Sequence, residues 1–89
     1  MTHAEIRSLV MRALETIAPE ARGQTLAPDV PLRDQLDLDS MDTLNFVIAL
    51  HEALQVDIPE ADYAKLATLD GAVAYLGSRL QQQPPDRGA

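Results

Sequence analysis

Between Ile6 and Ile17, apolar residues return every three or four positions: Ile6, Leu9, Val10, Ala13, Leu14 and Ile17. That period predicts an amphipathic helix over 3–18. Thr2, with Glu5 three residues later, supplies a capping box at its start, and Pro19 ends it. From 19 to 39 the period is lost, and Gly23, Pro28 and Pro31 interrupt any regular element. Leu26, Val30, Leu32, Leu36 and Leu38 still recur there. They predict a long connection pinned to the core, with a short helical turn at 32–36, and connections of this length are often functional. Helical periodicity resumes over 40–55, where Asp39 or Ser40 can serve as the cap. Pro59 opens a short helix over 59–66 at the first-turn position proline tolerates. Thr68 caps a last helix that runs to about Gln82, with Leu69, Ala72, Val73, Leu76 and Leu80 as its apolar positions. Gly71 and Gly77 read as local weak points in it. Pro84, Pro85 and Gly88 predict a disordered tail, so one domain covers 1–82 and the tail 83–89. No segment alternates with a period of two, and no repeat is found. The expected fold is all-α: a bundle of three main helices and one short one, with a long loop between the first two.

The segment 40–55 is more apolar than a bundle position requires. On a wheel of about 100° per residue, Phe46, Val47, Leu50 and Leu54 fill one sector, and Met41, Leu44 and Ile48 widen it to roughly 220°. The first four are assigned to the core. The other three are assigned to an exposed or half-exposed ridge that begins beside Ser40. Such a ridge is either covered by the long loop or the short helix, or it is a docking surface. Ser40 likewise has two readings, as a plain helix cap or as a point where a large group is attached.

The charge pattern adds to this picture. The 89 residues carry 14 acids against 7 Lys and Arg, a net charge of −7. Eight of the acids lie between Asp34 and Asp62 (Asp34, Asp37, Asp39, Asp42, Glu52, Asp57, Glu60 and Asp62), with no Lys or Arg among them. Phosphate repels such a surface, so nucleic acid and anionic membranes are not expected partners. The run is either a solvated face or a surface that steers basic partners. No cysteine is present, so no disulfide holds the core. No apolar run is long enough to span a bilayer and no basic-then-apolar leader opens the chain, so a cytoplasmic monomer without membrane insertion is expected.

Little else in the chain suggests chemistry. Asp37, Asp39 and Asp42 lack the spacing, central glycine and final glutamate of a calcium loop. His3 lies at a helix end, where a surface position is expected. His51 lies on the boundary between core and ridge, and no serine–base–acid or metal-ligand spacing surrounds it. It is read as a packing or partner-contact residue. Ser8 and Ser78 receive no role. With no phosphate loop and no carboxylate pair, catalysis by the chain itself is not expected.

Asp39-Ser40-Met41-Asp42 resembles the motif of acyl carrier proteins, an Asp-Ser-Leu followed by an acid. Leu32-Arg33-Asp34-Gln35-Leu36 ahead of it, Ile58-Pro59-Glu60 and Thr68-Leu69 match the family in order, so the resemblance covers about residues 3 to 80. It implies that Ser40 receives 4′-phosphopantetheine from coenzyme A, with Asp39, Met41 and Asp42 around the attachment point. The arm is added by a separate phosphopantetheinyl transferase with magnesium, and its thiol then carries an acyl group as a thioester. Asp39 and Asp42 would help the transferase recognise the site. Met41, Leu44 and Ile48, with Glu52 and Glu60, would meet basic patches on acyl-loading, condensing or acyltransferase enzymes of fatty acid, specialised lipid or polyketide synthesis. Phe46, Val47, Leu50, Leu54, Ile58, Tyr63 and Leu66 would line a core open to an acyl chain. Asn45, His51 and Ala53 stand where fatty-acid-synthesis carriers usually have glutamates, which implies a specialised carrier with few partners. Two alternatives stay open. One is a peptidyl or aminoacyl carrier, which would often have Gly-Gly where this chain has Asp37-Leu38. The other is an unmodified helical adaptor that uses the ridge alone.

Overall fold

A computed structural model describes residues 1–82; the predicted tail 83–89 lies outside the described residues. The described chain is helical with no strand. It comprises α1 (His3–Ile17), a 3-10 turn (Pro19–Ala21), α2 (Leu32–Leu36), α3 (Ser40–Leu54), a 3-10 helix (Glu60–Leu66) and α4 (Leu69–Gln82). No helix among the described residues is long and apolar enough to cross a membrane.

The helix ends follow the capping chemistry. At α1, Thr2 Oγ1 accepts from the Glu5 amide and Glu5 Oε1 accepts from the Thr2 amide. That pairing holds the Glu5 carboxyl below its ordinary pKa. At α4, Thr68 Oγ1 accepts from the Gly71 amide at 2.9 Å. The short helix departs from expectation in two ways. Pro59 is its extended cap and lies outside it, and the seven residues wind as a 3-10 helix. The tighter winding gains length per residue, which suits a short bridge between α3 and α4.

α1 packs against both α3 and α4, and the 3-10 helix Glu60–Leu66 packs on α4. Ile6, Val10, Leu14, Leu50, Val56, Leu69 and Leu76 form the driest part of the core. No polar or charged residue among the described residues is buried. With aliphatic side chains supplying almost all of this core, its stability rests on the removal of apolar area from water.

The long connection is pinned as its leucines predict. Leu26, Leu32, Leu36 and Leu38 are buried, whereas Val30 is exposed, contrary to expectation. Val30 sits in the turn that Gln35 closes. The Gln35 side chain accepts from the Ala27 amide and donates to the carbonyls of Ala27 and Val30. Those bonds orient the backbone at Val30 and leave its side chain outside. Two further bonds tie the loop to the far side of the bundle: Leu32 N–H to Ala67 O at 2.8 Å and Asp70 N–H to Pro28 O at 2.9 Å.

Gly71 also corrects a sequence expectation. A Cβ there would lie 2.7 Å from the Lys65 carbonyl oxygen and 2.8 Å from Thr68 Oγ1. The backbone of the 3-10 helix passes so close that only glycine fits, so Gly71 is a packing requirement and not a weak point.

Candidate functional site

Leu36 and Leu38 both point into the core, which leaves Asp37, Asp39 and Ser40 outside. Asp37 ends α2 in the left-handed region at φ 56°, a conformation that aspartate tolerates better than most residues. Leu38 re-anchors the chain one residue later, and Asp39 then takes the extended geometry of an N-cap.

Asp39, not Ser40, caps α3. Asp39 Oδ1 accepts from the Asp42 amide at 2.8 Å, and Asp42 Oδ2 accepts from the Asp39 amide at 3.2 Å. Thr43 Oγ1 donates to the Asp39 carbonyl at 3.1 Å. Both carboxylates thus satisfy orphan amides and lie at the positive end of the helix dipole. Ser40 becomes the first helical residue. It is exposed, and its hydroxyl hydrogen-bonds to nothing among the described residues. A serine serving as a cap would use that hydroxyl on the backbone. Here the neighbouring acids do that work and the Ser40 oxygen is left free.

The wheel assignment of α3 agrees with the structure. Phe46, Val47, Leu50 and Leu54 are buried, while Met41, Leu44 and Ile48 are 63%, 40% and 44% exposed. Neither the loop nor the 3-10 helix covers the ridge. Glu52, one turn beyond Ile48, prolongs the stripe, and Glu60 is exposed on the neighbouring 3-10 helix. Ile58 and Tyr63, expected to line the core, are only half-buried and pack against its edge. Both belong to the segment between α3 and α4, whose 3-10 helix packs on α4.

His51 has a structural role. Its Nδ1 lies 2.9 Å from the Val56 carbonyl oxygen, and the Gln55 amide donates to the His51 carbonyl. Gln55 is left-handed at φ 55°. The imidazole therefore bridges the reversal that ends α3 and directs Val56 into the core.

Three concavities run beside α3. The first, about 220 Å³, is lined by Ser40 with Arg33, Thr43, Leu44 and Tyr63. The second, about 310 Å³, is an apolar chamber between α3 and the 3-10 helix, walled chiefly by Leu32, Leu38, Phe46, Val47 and Leu66. Arg33, Thr43 and Tyr63 line it as well, so these three side chains border both spaces. The third, about 360 Å³, runs from Val47 and Ile48 to His51, Asp57 and Ile58. Sequence reasoning missed Arg33 and Thr43. A signal for Arg33 was present, since it is the only Lys or Arg between Arg22 and Lys65.

A family model described as the phosphopantetheine attachment site matches residues 4–76. The chain is 32% identical over 76 residues to an acyl carrier protein of Chlorobium luteolum (strain DSM 273 / BCRC 81028 / 2530), covering 85% of this chain and 96% of that one. The chain belongs to the acyl carrier protein family. Its members bear a covalent 4′-phosphopantetheine and carry groups for other proteins, so this chain is a carrier and not an enzyme. The family works with a phosphopantetheinyl transferase and with enzymes that handle acyl groups.

The local structure fits that arm. An exposed, unengaged hydroxyl stands at a helix start, a favourable place for a phosphate group, and an open concavity adjoins it.

Proposed function

We propose that Ser40 is the residue that bears the 4′-phosphopantetheine arm and that the chain delivers acyl groups to partner enzymes of fatty acid, specialised lipid or polyketide synthesis. When bound, the arm supplies a terminal thiol on which an acyl group is held as a thioester. The observation that carries this reading is the Ser40 hydroxyl, left exposed and with no hydrogen bond among the described residues while Asp39 and Asp42 do the capping around it.

The chain's own residues have separable roles. Asp39 and Asp42 hold the first turn of α3, which fixes where the Ser40 oxygen points. Among the described residues no side chain hydrogen-bonds the Ser40 hydroxyl, and the carboxylates of Asp39 and Asp42 are engaged with backbone amides, so activation falls to the transferase and its magnesium. The two acids also give that enzyme a negative site to read. Met41, Leu44 and Ile48 offer an apolar stripe, and Glu52 and Glu60 offer rim charges to a basic partner surface. Asn45, His51 and Ala53 thin the acids on α3, and this narrows the set of partners.

The test is an intact mass spectrum after incubation with coenzyme A, magnesium and a broad-specificity phosphopantetheinyl transferase. A gain of one phosphopantetheine that is lost in Ser40→Ala supports the assignment. A chain that gains nothing, and that also lacks the arm when isolated from its host, would be an adaptor instead. Loading by an amino-acid-adenylating enzyme would move the cargo from acyl to aminoacyl.

A further inference from the structure

Arg33 is the only Lys or Arg between Arg22 and Lys65, and Asp34, Asp37, Asp39 and Asp42 follow it closely in the chain. An exposed arginine in such company is expected to pair with one of them. It does not. Among the described residues no carboxylate lies within ion-pair distance of the Arg33 guanidinium, and that group makes no hydrogen bond. The two acids that flank Ser40 are occupied elsewhere, since each carboxylate accepts from a backbone amide.

The backbone that bears Arg33 is fixed. Leu32 and Leu36 are buried in the core, Leu32 N–H donates to the Ala67 carbonyl at 2.8 Å, and Asp37 N–H donates to the Arg33 carbonyl at 3.1 Å. With its neighbours held in this way, Arg33 stays on the outer side of α2, exposed. It borders the concavity of about 220 Å³ that Ser40 borders too, together with Thr43, Leu44 and Tyr63. Thr43 uses its hydroxyl on the Asp39 carbonyl, so the charged donor that remains in the lining of that space is Arg33.

We propose that Arg33 binds the phosphodiester of the arm, its guanidinium pairing with the phosphate oxygens and holding the root of the arm over this concavity. This rests on Ser40 bearing the arm. The phosphorus is joined directly to the Ser40 oxygen, so the phosphate stands at the edge of the space that Arg33 borders. A guanidinium presents parallel N–H donors that match two oxygens of a phosphate. The phosphate thus gives Arg33 the anion that no carboxylate of the described residues gives it. The pairing also offsets the repulsion of the phosphate by Asp39 and Asp42. Arg33 is then a positioning residue for the arm. It draws the root toward α2 and leaves the ridge of Met41, Leu44 and Ile48 open to partners.

The experiment compares the wild-type chain with Arg33→Gln, each before and after loading from coenzyme A, with intact mass confirming the arm. Melting temperature is read at low salt and again in about 0.5 M sodium chloride. At low salt, the change in melting on loading should be more favourable in the wild type than in Arg33→Gln by about 1–4 °C, the size expected of an exposed charge pair in a small domain. High salt should remove that difference. On an isotope-labelled chain, the Arg33 Nε–H signal, identified by its absence from Arg33→Gln, should move when the wild type is loaded. The phosphorus resonance of the loaded arm should differ between the two chains. A merely structural role would lower melting equally with and without the arm and leave the Nε–H signal in place. Equal changes on loading in the two chains, or an Arg33 signal that the arm does not move, overturn the proposal. Should Arg33→Gln fold poorly, the wild-type Nε–H signal, assigned through its own side-chain couplings, decides alone. A chain that gains no mass at Ser40 instead refutes the carrier assignment, and the missing mass tells that failure apart.

Discussion

Replacing Asp39 by alanine separates two roles that the site gives one carboxylate. The side chain accepts the 2.8 Å bond from the Asp42 amide and places a negative charge at the start of α3. Loss of an N-cap costs about 1 kcal/mol, and loss of the favourable dipole charge about 0.5 kcal/mol more. Relief of repulsion between Asp39 and Asp42 returns part of the second amount, because both are exposed to screening solvent. A net loss of about 1–1.5 kcal/mol in a domain of this size lowers Tm by roughly 4–12 °C. Asp39→Ser keeps a capping oxygen without the charge, and its Tm should fall by no more than about 3 °C. Thermal denaturation followed by circular dichroism reads the first quantity. The initial rate of phosphopantetheinylation, by intact mass, reads the second. If Asp39 acts by holding the helix start, Asp39→Ser restores both melting and modification. An Asp39→Ala chain that melts within about 2 °C of wild type, short of the expected fall, would refute the capping argument. An Asp39→Ser chain that melts normally but is modified as slowly as Asp39→Ala would show that the transferase reads the charge itself.

Gly71→Ala should destabilise the fold by more than about 1 kcal/mol despite the helix propensity gained, because its Cβ would press on the Lys65 carbonyl and Thr68 Oγ1; chemical denaturation reads the sign. The Tyr75–Asp62 bond should give a pH signature. The bond from Tyr75 holds the Asp62 carboxyl below its ordinary value, and burial, then the bond to Asp62, pushes the Tyr75 phenol up. Asp62 therefore contributes stability above its unfolded pKa and loses it as pH falls through the folded one. Tyr75 contributes below its unfolded pKa and loses it as pH rises through the folded one. The Tm deficit of Tyr75→Phe should be largest between about pH 4 and pH 10 and shrink outside that window. Salt or divalent cations should raise the wild-type Tm by screening the eight acids between Asp34 and Asp62; melting that ignores ionic strength would count against this.

The helices were legible because their signals are local. Thr2 with Glu5, Asp39 with Asp42, and Thr68 each stand within one turn of the amide they satisfy. The split of α3 into core and ridge was legible for the same reason, since a wheel needs only the period. Ser40 stood out by its place between acids at the head of that wheel. What was misread lay where one segment meets another. Val30 belongs to a regular spacing of apolar residues, but the Gln35 bonds turn it outward. Gly71 looked like a poor helix former until the Lys65 carbonyl was seen against it. His51 was read as a packing or partner-contact residue, and only the fold shows that its ring bonds the Val56 carbonyl at the end of its own helix.

Periodicity and capping, both short-range, are written in the order of residues, and they account for the helix ends and the apolar faces; that Asp39 and not Ser40 does the capping at α3 came only from the fold. The concavity at Ser40 and the apolar one that shares Arg33, Thr43 and Tyr63 with it depend on three segments far apart in the chain meeting at one place. Their meeting comes from packing and from bonds such as Leu32 to Ala67 and Tyr75 to Asp62. No local pattern encodes which side chains such contacts bring together, because burial is non-directional and is satisfied by any close-packed arrangement of the same apolar faces.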